Sequence, residues 1–400
     1  MKQFDSIICI AQTSWNGDFQ KAVVQLMTEL SARHRVLFVD YLYTVKDFVT
    51  SRNDMPAGEI LFGNPLTKID NGGGEDLYVW APPLMLPINW LSAKPHDQLL
   101  QLNTNRLLGR LRSVMKRLNM HRPLVINAFN PVVGLPMLGK LNECATLYYC
   151  FDEITTAGDW MSRHGQRYED AYLRRVDAVV TTSETLRHDK SAVQPQTYCV
   201  KNGANFDLFN KTRQLAQEHP PEKPIVGYLG SADNRVNIDL MEHCARTMPD
   251  VDFQFIGEVH EPLLPQRLSN FPNVTFIPPH QPAELPPLLA KWSVGVIPFV
   301  CNKHTYTIYP LKINEYLAAG LAVVSTPFSI LDDFDGVIEL ADTPEKFAQA
   351  LRRALADKDP KRVQQRVDMA HRNSWTERAH EFEAVIKQVP KAWRQEQPAY

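Results

Sequence analysis

Four hundred residues exceed one small domain, since domains usually run to about 100–200 residues, so two domains are the expectation. Hydrophobic residues at 44% and charged residues at 22% exclude wholesale disorder, and a formal net charge of -2 excludes a chain that is basic as a whole for nucleic acid. The six cysteines (9, 144, 150, 199, 244, 301) include no C-x-x-C pair, which fits reduced thiols in a cytosolic protein rather than a disulfide framework or a zinc site. The first ten residues carry Asp5 and too short an apolar run for a secretion signal. No stretch approaches the roughly 18 apolar residues of a membrane span, so any membrane contact is expected to be peripheral.

In chain order, Ser6–Ala11 reads as a buried strand, 18–32 as an amphipathic helix and 35–40 (RVLFVD) as a strand, which together make a crossover unit of a parallel sheet. Residues 51–97 interrupt that pattern with Gly72, Gly73, Gly74 and Pro82, Pro83, Pro87, and read as an insertion or an irregular pair of strands. Within 105–122, Leu107, Leu108, Leu111, Val114, Met115 and Leu118 share one helical face, and Arg106, Arg110, Arg112, Lys116 and Arg117 share the other. A domain helix with a solvated basic face explains this stripe; the sharper reading is contact with an anionic membrane surface, aided by Trp90 in the apolar stretch 84–91. Strands follow at 124–128, 146–150, 178–182 and 197–201.

Residues 211–224 are polar, end in Pro220, Pro221 and Pro224, and read as a linker. The strand–helix pattern then restarts. Strands are expected at Ile225–Leu229, Asp252–Ile256, Val274–Ile277, 294–298 and Ala322–Ser325, with helices at 237–247, 283–291 and 313–319. Two α/β units predict two Rossmann-like domains facing each other across a cleft, with ligands at the carboxyl ends of the strands. The boundaries fall at 1–210 and 211–374, with a terminal segment 375–400 opened by the capping-box pair Ser374 and Glu377.

The stretch 309–326 (YPLKINEYLAAGLAVVST) is the most informative. Pro310 marks a helix start, Gly320 its end, and a buried strand follows. A helix N-terminus offers free N–H groups and a positive dipole end to a phosphate. Lys312 in that first turn opposes the dipole, which an anion bound there would explain; Glu315 is placed to accept from ribose hydroxyls. From helix physics alone, an ordinary helix with surface Lys and Glu accounts for the pattern equally well.

This stretch resembles the nucleotide-sugar motif of GT-B glycosyltransferases, family 4 in particular. Residues 201–209 (KNGANFDLF) resemble the segment leaving that family's first domain, and 225–230 (IVGYLG) the strand and glycine opening its second. Trp15 after the first strand, and 148–153 (YYCFDE), are similar to bacterial members that build surface polysaccharides. The resemblance implies a GT-B fold with a C-terminal helix crossing back to the first domain, and a retaining glycosyltransferase that moves a sugar from a nucleotide-diphosphate donor to a hydroxyl of a saccharide or lipid-linked acceptor. It favours a UDP-sugar donor, no further cofactor, no required metal, and a cytoplasmic location peripheral to the inner face of the plasma membrane.

Residue by residue, the resemblance implies donor contacts from Gly230, Ser231, His280, Pro310, Leu311 and Glu315, and acceptor contacts from Trp15, Asn16 and Gly17. Lys312 and Arg235 would neutralise charge on the departing diphosphate. Asp152 is either a general base or an N-cap. The first Glu of the family pair would fall at Thr307, so the carboxylate that approaches the donor sugar is missing. Asp333 and Asp335 have the spacing of a metal-binding pair but sit in a turn ending at Gly336, where a surface loop is expected. Two rivals are a GT-B nucleotide-sugar epimerase and a non-catalytic GT-B-like assembly component.

Overall fold

The structure, a computed structural model, describes residues 4–16, 21–50, 55, 58, 60, 65–156, 158–218 and 223–389. They form two compact units, one comprising the described residues up to Lys201 and from Ala379 onward, the other Asn202–Arg378.

The first unit is built on an eight-stranded sheet in the order β3-β4-β2-β1-β5-β6-β7-β8. In chain order the strands are β1 Ser6–Ala11, β2 Val36–Val39, β3 Leu66–Ile69, β4 Leu77–Trp80, β5 Pro123–Ala128, β6 Ala145–Cys150, β7 Ala178–Thr181 and β8 Thr197–Cys199. All pairings are parallel except β3 with β4. The central strands β1, β2, β5, β6 and β7 are buried along their whole length, as expected for a parallel sheet covered on both faces.

The segment read as an insertion thus supplies an edge of the sheet. β4 continues it in parallel beside β2, and β3 closes it antiparallel; Gly72 and Gly73, at φ of 73° and 96°, make the turn between them. The helix Ala93–Arg117 buries Leu107, Leu108, Leu111 and Met115 in the core with β1 and β2, and Leu100 against Ile88 and Val132, so its apolar stripe is spent on folding.

The second unit has a six-stranded parallel sheet in the order β11-β10-β9-β12-β13-β14. Its strands are β9 Ile225–Leu229, β10 Asp252–Ile256, β11 Val274–Ile277, β12 Val294–Ile297, β13 Ala322–Ser325 and β14 Glu339–Leu340. Asn237 caps the helix Ile238–Thr247 by accepting from Leu240 N–H at 3.0 Å, and Leu240, Met241 and Cys244 of that helix enter the core with Tyr228, Phe253 and Leu351.

Two differences from the sequence reading have local causes. The segment 211–224 contains a helix, Thr212–Glu218, because its first half holds good helix formers and the prolines come later. Residues 202–210 belong to the second unit, since Ala204 N–H donates to Asn373 O at 3.0 Å and Trp375 N–H to Ala204 O at 3.1 Å. The last helix, Trp375–Gln388, starts in the second unit, where Ser374 Oγ accepts from Glu377 N–H at 3.3 Å. It ends in the first, where Glu383 pairs with Arg33 at 2.7 Å and His34 at 3.0 Å, and Phe382 meets Tyr149 edge-on.

Candidate functional site

In the second sheet the chain runs outward from β9 through β10 and β11, then crosses to β12, β13 and β14 on the other side. The order reverses between β9 and β12, and such a switch point leaves a crevice at the carboxyl ends of the strands, where ligands of open α/β sheets bind.

Gly230 ends β9 with φ of +121°, and a Cβ there would lie 2.2 Å from Lys312 Cε and 2.7 Å from Nζ. Only glycine lets the Lys312 side chain run across this backbone. Gly257, after β10, has φ of +140°, and a Cβ there would lie 2.5 Å from Gly230 O, so the two glycines let their loops stack. Ser231 is held by its carbonyl, which accepts from Tyr228 Oη at 2.8 Å.

Lys312 comes from the helix Leu311–Ala318, whose cap residue Pro310 is extended and carries no side-chain acceptor. The first amides of this helix therefore have no side-chain cap. Lys312 is half-buried, with Nζ 5.8 Å from the Tyr228 ring centroid, and forms no ion pair among the described residues. Burial pulls its pKa down, and the Arg235 guanidinium pushes the same way against Glu315 and Asp233.

Glu315, one turn on, is 6% exposed, and its carboxylate has no hydrogen bond among the described residues. Burial raises its pKa, with Lys312 opposing. Asn314 anchors the helix by accepting from Asn373 Nδ2 at 2.9 Å, and Asn373 Oδ1 in turn accepts from Arg378 at 2.6 Å.

Arg235 grips Asp233 through Nε (2.8 and 3.1 Å) and a terminal nitrogen (2.6 Å), with its guanidinium carbon 5.3 Å from the Phe299 ring centroid. Burial alone would raise the Asp233 carboxyl; the Arg235 hydrogen bonds outweigh it and hold it below its usual range. The structure thus brings Gly230, Ser231, Arg235, Pro310, Leu311, Lys312 and Glu315 into one neighbourhood and adds Asp233, Tyr228 and Gly257, which sequence reasoning missed. Gly257 alone had a visible signal, a glycine just after a strand.

His280 follows the outer strand β11, two strands or about 10 Å from β9, with Nδ1 3.2 Å from Glu284 Oε2. Thr307 is 6% exposed and its hydroxyl donates to His304 O at 2.8 Å, closing the short helix Lys303–Tyr306. Asp333 lies in the single turn Asp332–Phe334. No group of three or more His, Cys, Asp or Glu suited to a metal is found among the described residues.

The first sheet reverses order between β1 and β5. Trp15, after β1, donates its N–H to Asp40 Oδ1 at 2.7 Å and meets Phe38 edge-on at 5.0 Å. Asn16 is exposed, and its carbonyl accepts from Lys21 Nζ at 2.5 Å; Gly17 lies outside the described residues. Asp152, after β6, is half-buried and accepts from the N–H of its neighbour Glu153 at 2.8 Å. Trp15 and Asp152 therefore sit at the same end of the sheet, on strands separated by β5.

Residues 223–357 match the family described as glycosyl transferases group 1. The chain is 25% identical over 211 residues to the putative teichuronic acid biosynthesis glycosyltransferase TuaH of Bacillus subtilis, covering 48% of this chain and 53% of that protein. It thus spans about half the length of that relative. The fold is similar to an α,α-trehalose-phosphate synthase (UDP-forming) from Burkholderia vietnamiensis, with a TM-score of 0.69 at 11% identity over 96% of this chain and 99% of that one. It is also similar to HepE of Anabaena in complex with UDP, with a TM-score of 0.64 at 14% identity over 96% of this chain and 100% of that one. Among the described residues no helix is long and apolar enough to cross a membrane. The second unit thus matches group 1 glycosyltransferases over residues 223–357, and the chain has the GT-B fold of these solved structures.

Proposed function

We propose that the second unit holds the diphosphate and ribose of a nucleotide-sugar, and that the chain transfers the sugar to a hydroxyl of a saccharide or lipid-linked acceptor during surface-polysaccharide synthesis. One observation carries this reading: Lys312, a half-buried cation with no ion pair among the described residues, lies across Gly230 at the start of an uncapped helix, where the sheet order reverses. A diphosphate there would meet the ammonium, the first amides of the helix and its positive dipole end together. Burial, which disfavours the lone cation, strengthens its attraction for an anion.

Glu315 in this reading accepts from the ribose hydroxyls, which would satisfy its buried carboxylate. Arg235, pre-oriented by Asp233, and Lys312 stabilise the charge that grows on the leaving diphosphate. These cations supply what a metal would otherwise supply, so transfer is expected to proceed in the presence of a chelator. His280 lies on the loop assigned to the nucleobase, where backbone groups do the binding.

The names of TuaH and of the UDP-bound structure favour a UDP-sugar and a surface polymer. With Thr307 in place of a carboxylate, retention rests on the donor's own phosphate taking the acceptor proton, and an inverting reaction would instead use Asp152 as base. Trp15 and Asn16 are assigned to the acceptor. The chain is placed in the cytoplasm at the inner face of the plasma membrane, where the solvent face of the helix Ala93–Arg117, with Arg106, Arg110, Lys116 and Arg117 exposed, would meet anionic headgroups. Salt-sensitive flotation with anionic but not neutral vesicles is the expected behaviour.

Calorimetric titration with UDP, GDP, TDP and CMP, followed by transfer assays with the matching sugar conjugates, tests the main reading. Tight binding of one nucleoside diphosphate and release of that diphosphate on transfer are expected. Interconversion of donor sugars without an acceptor would make the chain an epimerase, and neither binding nor turnover would make it a non-catalytic component.

A further inference from the structure

In the second sheet β9 and β12 diverge toward their carboxyl ends, and one buried side chain stands where they separate. β9 pairs with β10 along the whole of Ile225–Leu229, but with β12 only at Val226–Val294 and Gly227–Gly295. Successive amides of a strand point to opposite neighbours. Gly230 N–H donates to Ile256 O of β10 at 2.8 Å, so Leu229 N–H faces the side that β12 has left. It donates to Tyr316 Oη at 2.8 Å. A side-chain hydroxyl thus takes the place of the carbonyl that a continued ladder would supply.

Close packing fixes that hydroxyl. Tyr316 is fully buried, its ring meets Trp292 edge-on at 6.0 Å, and a Cβ on Gly295 would lie 2.4 Å from its Cδ2. The ring therefore lies directly on the last residue of β12 that pairs with β9. Trp292 is itself anchored, its Nε1 donating to Gln254 Oε1 at 3.0 Å. A phenylalanine in place of Tyr316 would fill the same space but leave a buried N–H without an acceptor, which is costly.

Tyr316 belongs to the helix Leu311–Ala318, one turn after Lys312, so the two side chains share a helical face. They meet consecutive residues at the end of β9: Tyr316 the amide of Leu229, Lys312 the backbone of Gly230. The Tyr316 hydrogen bond thus sets how closely the helix start approaches β9, and that approach decides whether Lys312 lies across Gly230.

We propose that Tyr316 is a positioning residue of the donor site, its hydroxyl tying the end of β9 to the helix and so holding the Lys312 ammonium where the diphosphate binds. That a diphosphate binds there rests on the function proposed above; that Tyr316 sets the place of Lys312 does not.

The test is an NMR titration of the full chain carrying lysine isotopically labelled at Cε, the Lys312 signal being the one lost in Lys312→Arg. In Tyr316→Phe, water drawn to the unmatched Leu229 amide also hydrates Lys312, and the relief of burial should raise its pKa by about one pH unit. Binding of inorganic pyrophosphate at neutral pH, read by calorimetry, should weaken about fivefold, equivalent to one hydrogen bond. Asn273→Ala removes buried hydrogen bonds at the opposite end of the same sheet, and should lower the denaturation midpoint while moving neither readout. A Lys312 pKa that stays put in Tyr316→Phe, or moves equally in Asn273→Ala, overturns the proposal. So does a Leu229 amide that exchanges with solvent faster than the paired amides of β9 in the unaltered chain. Pyrophosphate titrated into the unaltered chain separates the two readings. No binding, with a Lys312 pKa that moves in Tyr316→Phe, would defeat the donor site and leave the role of Tyr316 standing; binding with an unmoved pKa would do the opposite.

Discussion

Each unit draws a lysine at least partly out of solvent, and the two lysines are treated in opposite ways. In the first unit Lys190 is 7% exposed, and its Nζ lies 2.8 Å from Glu169 and 3.2 Å from Glu153. Tyr148 donates to the other Glu169 oxygen at 2.7 Å. Burial would lower the Lys190 pKa, but the Glu169 and Glu153 carboxylates outweigh it and hold the group charged. In the second unit Lys312 has no carboxylate within ion-pair distance among the described residues, and burial with Arg235 prevails. A buried cation whose partners are all present is already complete as structure. One whose partner is missing, at the carboxyl ends of the strands, is prepared for an anion that arrives from outside.

The largest effect should come from breaking the complete cluster. Lys190→Met leaves the buried Glu169 and the half-buried Glu153 with no cation, and losing one member of such a buried pair costs about 3–5 kcal/mol. Denaturant titration at neutral pH should show this loss, while nucleotide binding by the second unit persists. Burial already raises the Glu169 pKa against the pull of Lys190, and the variant removes that pull. A group whose folded pKa is raised gives stability that is present below the unfolded carboxylate pKa and fades as pH rises through the folded one. The Lys190→Met penalty should therefore shrink as pH is lowered; a pH-independent penalty would mean that the network is not electrostatic.

Lys312→Ala should do the reverse. It removes a cation that the fold does not need, so the denaturation midpoint should hold or rise. Turnover should fall by about 10²–10³, the usual cost of one preorganised group that stabilises transition-state charge. A variant that unfolds with unchanged turnover in its folded fraction would make Lys312 a second structural lysine and end the contrast.

The same contrast explains what was legible in the sequence. Val- and Ile-rich runs such as 225–229 and 322–325 gave the strand positions because buried parallel strands are continuous apolar segments. The helix from Leu311 was visible because proline opens it and a glycine with φ of +77° follows its end. β4 was harder to read, since the glycines before it and the prolines after it mark turns without saying which strand lies alongside. The charge partners were not legible at all. Lys190 lies 21 residues from Glu169 and 37 from Glu153, and only the fold brings three such positions together. Asp233 is two residues from Arg235, yet spacing alone did not reveal that its side chain turns toward the guanidinium.

Glu315→Gln sharpens the comparison on a smaller scale. If the carboxylate serves ribose hydroxyls, the variant should weaken UDP binding about tenfold, in line with the roughly 1.5–3 kcal/mol of charge-assisted hydrogen bonds, and leave binding of inorganic pyrophosphate unchanged. Equal losses for both ligands would place Glu315 in support of Lys312 rather than at the ribose.

The smallest effect is a pH dependence of UDP affinity, and its sign follows from Lys312. In the free protein burial lowers the lysine pKa, so the ammonium begins to lose its proton at a lower pH than an ordinary lysine. A bound diphosphate favours the charged form and raises that pKa again. Affinity should therefore decline as pH rises above neutrality, by up to tenfold per pH unit once the free lysine is mostly neutral, and binding there should take up a proton. Calorimetry in buffers of different ionisation enthalpy measures that uptake directly. In Lys312→Arg the charge stays fixed over the same range, so the alkaline decline and the proton uptake should both vanish; if they persist, another group titrates and the unpaired lysine is not the one that meets the diphosphate.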